Sequence, residues 1–86
     1  MASYSIRIKK SARKELESIP SIKDRQRIVS RIAGLAENPR PGGAVKMSGL
    51  DRYRIRQGRY RILYSIEDAV LTVYVIRIAN RKDVYR

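Results

Sequence analysis

The sequence predicts an α+β fold. It reads as a single small domain of order β-α-α-β-β-β, a twisted and mainly antiparallel sheet with a helical hairpin packed on one face. Three observations predict it. Alternating polar and apolar residues open the chain at 3–8 and return through 52–78. Between them lie two segments of helical spacing, divided by Pro20-Ser21. A length of 86 residues allows one core and no second, so 1–86 is one domain.

In residues 3–8, Tyr4, Ile6 and Ile8 fall on one side of a short strand. From Lys10 to Ile19, Ala12, Leu16 and Ile19 recur at helical spacing, and Pro20 ends the run. Ser21 followed by Asp24 is a capping start for a second helix that reaches about Glu37, where Asn38-Pro39 stops it. Ile28, Ile32 and Leu35 form its apolar stripe, with Arg25, Arg27 and Arg31 mostly outside. Residues 39–50 are loop by composition. A strand then ends at a break on Gln57-Gly58, a second runs over Tyr60–Ile66, and Glu67-Asp68 turns the chain. Val70–Ile78 is apolar on both faces, which marks a central strand.

The hairpin over 52–61 carries five arginines and no acid, with Tyr53 and Ile55 alternating against Arg52, Arg54 and Arg56. Like charges on one sheet face repel and lower stability. A small domain that keeps such a row holds it for an anion, and nucleic acid is the polyanion most available. The net charge of +12 points the same way. The face opposite the helices is therefore expected to be concave, open and lined with arginine.

Composition excludes other classes. With no Cys and no His there is no disulfide, no thiolate chemistry and no expected transition-metal site or cofactor. No apolar run approaches the roughly 20 residues of a membrane span, and residues 1–10 lack a signal-peptide core, so the cytoplasm is the expected compartment.

The run from Lys46 through Arg52-Tyr-Arg-Ile-Arg to Tyr64, followed by Val73–Ile78 and Asn80-Arg-Lys-Asp-Val-Tyr85, resembles the RelE/ParE superfamily of toxins from bacterial toxin–antitoxin modules. The resemblance spans the chain, and the last segment favours the RelE branch. It implies a ribosome-dependent endonuclease that cuts mRNA in the 30S A site through attack by the ribose 2′-OH. Matched position by position, it implies basic catalytic residues at Arg54 and Arg56, where relatives carry lysine at the second. It implies a phosphate-gripping Arg61, an Arg81 that protonates the leaving oxygen, and a Tyr85 that stacks on the cleaved nucleotide. The implied partners are an acidic RelB-like antitoxin, the ribosome and mRNA, with no membrane. ParE toxins share the fold but inhibit DNA gyrase, and a plain RNA- or ribosome-binding domain is a third reading.

Arginine suits charge compensation on a phosphorane, because its planar fork grips phosphate oxygens at two points. It does not suit proton abstraction, since its pKa exceeds 12. Many relatives have His where Asn80 stands. The remaining candidate bases are Lys46, Lys82, Asp83 and the Tyr85 phenol; alternatively the site has no strong base and works by positioning and charge. Arg52, Arg59, Arg77, Lys46 and Lys82 are expected to track RNA phosphates, Arg77 alternatively pairing with Asp83. Tyr53, Tyr60, Tyr64 and Tyr74 are read as core tyrosines.

Overall fold

In the computed structural model, which describes residues 3–47 and 51–80, the opening alternation folds as strand β1 (Ser5–Ile8). Its Ile6 and Ile8 pack against the core. Helix α1 (Lys10–Glu17) ends two residues before the expected Ile19. Pro20 disfavours helical backbone at the residue before it, so Ile19 leaves the helix yet still buries its side chain, as Ala12 does. Helix α2 (Ile22–Gly34) begins where the Ser21 hydroxyl accepts a hydrogen bond from the Asp24 N–H at 3.2 Å. Its stripe of Ile28, Ile32 and Leu35 is buried as expected. The segment that the periodicity carries to Glu37 continues from Gly34 as turns.

The described residues contain β2 (Val45–Lys46), β3 (Arg52–Gln57), β4 (Tyr60–Glu67) and β5 (Thr72–Asn80). The sheet order is β1-β5-β4-β3-β2, with β1 parallel to β5 and the other pairs antiparallel. Two residues of the expected loop thus form a strand, β2, pairing with Arg54 and Tyr53. The β3–β4 hairpin breaks one residue later than expected. Gln57 pairs with Tyr60, and Gly58, at φ +60°, takes the first position of the two-residue turn, where a side chain would be strained.

Val70 and Leu71 correct the central-strand reading. Asp68–Val70 form a 3₁₀ turn, and Val70 and Leu71 are exposed at its end, Leu71 in the left-handed region at φ 46°. The strand begins at Thr72 and runs to Asn80.

Phase along β5 decides which face Arg77 joins. Strict alternation from buried Val73 and Val75 would turn Arg77 into the core, at high cost for an unpaired cation. A bulge intervenes: Tyr64 pairs with Val75 while Leu63 pairs with Arg77, leaving Ile76 as the extra residue. Arg77 therefore stands outside, and Ile78 returns to the core beside Ile62.

β1 covers only residues 72–75 of β5, so further along that edge lacks a strand neighbour. α1 closes it. The Glu15 carboxylate accepts the Ile78 N–H at 2.9 Å and faces Arg77 Nε at 3.4 Å.

Candidate nucleic-acid interface

The β3–β4 register sorts the hairpin cleanly. Arg52, Arg54 and Arg56 pair with Ser65, Leu63 and Arg61, while Tyr53, Ile55 and Gln57 pair with Tyr64, Ile62 and Tyr60. Paired residues share a face, so the arginines stand together on the side away from the core. β5 extends the rows: Ala79 lies beside Arg61, Arg77 beside Leu63 and Tyr74 beside Ser65. β1 adds Arg7 beside Tyr74. Three rows result, Arg56–Arg61–Ala79, Arg54–Leu63–Arg77, and Arg52–Ser65–Tyr74–Arg7. Among the described residues the acid on these strands' arginine face is Glu67, in the next row opposite Thr72.

The expected open face is open only in part. Arg56 is exposed and Arg54 half-buried, and they border a cleft of about 310 Å³ with Arg61, Val45 and Gly43. Arg61 itself is 3% exposed and neighbouring Ala79 5%. A buried guanidinium is tolerated only when compensated, and Arg61 is engaged within the fold. It faces Arg56 across the two strands. The opposite row is the open one, with Arg7, Arg52 and Tyr74 all exposed. Tyr74 thus departs from the core reading.

Other expected residues divide. Arg52 joins the third row. Arg77 joins the second and, among the described residues, pairs with Glu15 of α1. Lys46 pairs with Tyr53, so it lies on the side of the sheet opposite Arg54, exposed and outside the three arginine rows. Arg59 is exposed at the hairpin tip, outside the rows. The expectations for Arg81, Lys82, Asp83 and Tyr85 lie outside the described residues. Among the described residues no group of three or more His, Cys, Asp or Glu could hold a metal, and no helix is long and apolar enough to cross a membrane.

A second cluster, on the core side, has no counterpart among the sequence expectations. Arg40 donates through Nη1 and Nη2 to the two Asp68 oxygens at 3.2 and 2.9 Å, and through Nε to the Tyr53 hydroxyl at 3.1 Å. Its guanidinium carbon lies 5.5 Å from the Tyr53 ring centroid. The Tyr4 hydroxyl donates to Asp68 Oδ1 at 2.6 Å. These bonds, Arg40 first and Tyr4 second, hold the Asp68 carboxyl down at about 2, and the same carboxylate raises the Tyr4 phenol. Tyr53 stacks on Tyr64 at 5.8 Å, and the buried Tyr64 hydroxyl donates to the Pro39 carbonyl at 2.7 Å. Burial pushes the Tyr64 phenol up to about 12. Asn38-Pro39-Arg40 signals a helix stop, but the partners of Arg40 lie 13 and 28 positions away and carry no local signal.

This geometry has close counterparts among known proteins. Residues 6–85 match the family model of the ParE toxin of the type II toxin–antitoxin system parDE. Toxin RelG of Mycobacterium tuberculosis is 30% identical over 96% of this chain and 97% of its own length. The archaeal RelE–RelB complex from Pyrococcus horikoshii contains a chain that superposes with a TM-score of 0.80 at 26% identity, covering 95% of this chain and 99% of that one. The isolated E. coli RelE toxin gives 0.80 at 26%, covering 96% and 92%. Sequence motifs, the two helices on an unclosed mixed sheet, and these likenesses agree: the chain belongs to the ParE toxin family of type II toxin–antitoxin systems, within the RelE/ParE superfamily.

Proposed function

We propose that this toxin is a metal-independent, ribosome-dependent mRNA endonuclease of the RelE kind. One observation carries the reading: Arg54, Arg56 and Arg61 converge from two strands on one cleft. In the reaction the ribose 2′-oxygen attacks the adjacent phosphorus and loses its proton. The bond to the 5′-oxygen breaks, that oxygen takes a proton, and a 2′,3′-cyclic phosphate remains. Preorganised cations favour the extra negative charge on the phosphorane, often the largest single catalytic contribution. Arg54 and Arg56 are the accessible grips and the buried Arg61 sets the floor. By resemblance, Arg81 protonates the leaving oxygen and Tyr85 stacks on the cleaved nucleotide. The arginine rows hold no evident base among the described residues, so rate comes from positioning and charge, with the ribosome shaping the substrate.

The partner that neutralises it is an acidic RelB-like antitoxin, in keeping with the RelE–RelB complex of the archaeal relative and with the charge of +12. A toxin that acts on ribosomes works in the cytoplasm. The family match itself favours a second reading, a gyrase inhibitor that acts by protein binding. Primer extension on ribosome-bound mRNA, run beside a gyrase supercoiling assay, separates the two. Cleavage that is lost in the Arg54→Ala/Arg56→Ala protein supports the nuclease. Intact mRNA with halted supercoiling replaces it with the inhibitor.

A further inference from the structure

We infer that Tyr74, flanked by Arg7 and Arg52, is a stacking platform for an unpaired RNA base, a nucleotide subsite beyond the cleavage cleft. The inference deepens the nuclease reading and rests on it. Four adjacent strands build the row Arg7–Tyr74–Ser65–Arg52. At about 4.8 Å between strands, Arg7 stands one strand from Tyr74 and Arg52 two strands away on the other side. Ser65, the residue between, is too small to cover the ring. Tyr74 is 37% exposed, a large aromatic left in solvent on the face opposite the core. A cation on each side with an open aromatic between is the arrangement that holds single-stranded nucleic acid, phosphates on the arginines and a base on the ring.

Its position fits the site already described. Ser65 and Arg61 are four residues apart on β4, about 13 Å along the strand. Arg54 and Leu63 lie between, so a short single strand gripped at Arg54 and Arg56 reaches the ring without leaving the arginine rows. One row further, Glu67 ends the basic track. Arg77, between the two sites, is held toward Glu15 at the sheet edge. Stacking accepts any base, so the subsite contributes grip and register rather than sequence choice.

The chain has no tryptophan, which gives a direct probe. Tyr74→Trp places a single indole in the row, and a short oligoriboadenylate added to the toxin should quench its fluorescence. Tyr74→Ala should weaken that oligonucleotide tenfold or more, Tyr74→Phe should bind as wild type, and all three should melt normally. Arg7→Ala should lower affinity and reduce the salt slope by about one charge. Unquenched indole, or Tyr74→Ala binding within twofold of wild type, overturns the platform. So does a Tyr74→Ala protein that binds RNA normally but loses antitoxin, because the ring is then a protein contact. Quenching in a toxin that leaves ribosome-bound mRNA intact would sink the nuclease reading and keep the platform. Cleavage that needs Arg54 and Arg56 but tolerates Tyr74→Ala, with unchanged oligonucleotide affinity, would do the reverse.

Discussion

The two faces of this sheet treat arginine in opposite ways. On the core side, Arg40 has a bidentate carboxylate, a phenol acceptor and an aromatic ring around it. On the other side, Arg54 and Arg56 stand among arginines, with no carboxylate of the described residues within ion-pair distance. The residue type is the same, and the partners decide its meaning. An arginine satisfied within the chain holds the fold, whereas Arg54 and Arg56, which no carboxylate answers among the described residues, are the pair proposed to meet an anion.

The most severe test of that division uses neighbouring residues. Ile62 is fully buried between Ile55 and Ile78, while Leu63 lies on the arginine side between Arg54 and Arg77. Ile62→Arg places an unpaired cation in the core and should cost several kcal/mol, enough to unfold a domain of this size. Leu63→Arg should leave a folded, cooperatively melting protein. Circular dichroism melts of the pair decide it; two equally unfolded variants would mean that the second face is as closed as the first.

Next in size is Arg54→Ala/Arg56→Ala. Removing donors aimed at developing charge costs about 10²–10³ in rate, so primer extension should show cleavage falling by that factor. The melting temperature should hold, because both side chains stand on the side of the sheet away from the core. A fall of several degrees would place these arginines with Arg40 among the structural ones.

Much of this division is legible in the chain. Alternation through 52–62 is enough to separate Arg54 and Arg56 from Tyr53 and Ile55, and helical spacing finds Ile28, Ile32 and Leu35. What escapes depends on pairing between distant segments. Arg7 shares a row with Arg52 only because β1 lies parallel beside β5, and nothing near residue 7 announces that. Tyr74 reads as core because an apolar strand surrounds it; the register, not its neighbours in sequence, puts it outside. The side that Lys46 takes is hidden in the same way, since a two-residue strand sets it by pairing with Tyr53. For Arg61 the alternation gives the face, while its burial at 3% exposure depends on tertiary neighbours that no local pattern shows.

A smaller effect tests the core side alone. Tyr64→Phe removes the donor to the buried Pro39 carbonyl and should cost about 1–2 kcal/mol in urea unfolding, with cleavage unchanged. The same phenol predicts an alkaline limit. Its pKa is raised from 10.0 to about 12. Between those values the unfolded chain gives up a proton that the folded chain keeps. The stability it contributes is therefore full below about 10 and lost as pH rises through about 12. Ultraviolet titration should find one of the six tyrosines ionising last, and Tyr64→Phe should erase that step.

The smallest effect separates the two faces by pH. Asp68 is held at about 2 against an ordinary 3.8, so its carboxylate binds protons less readily in the folded chain than in the unfolded one. Its contribution to stability is full above about 4 and is lost as pH falls through about 2. Asp68 and Arg40 are both substantially exposed, so solvent screens the pair and Arg40→Ala should lower the melting temperature by only a few degrees at pH 7. That deficit should shrink towards pH 2, because the wild type loses the ion pair there as well. Arg54→Ala/Arg56→Ala should show no such convergence, since no carboxylate answers those arginines among the described residues. An Arg40→Ala deficit equal at both pH values would mean that stacking on Tyr53, rather than charge on Asp68, is what holds Arg40, and the contrast between the faces would then rest on aromatic packing.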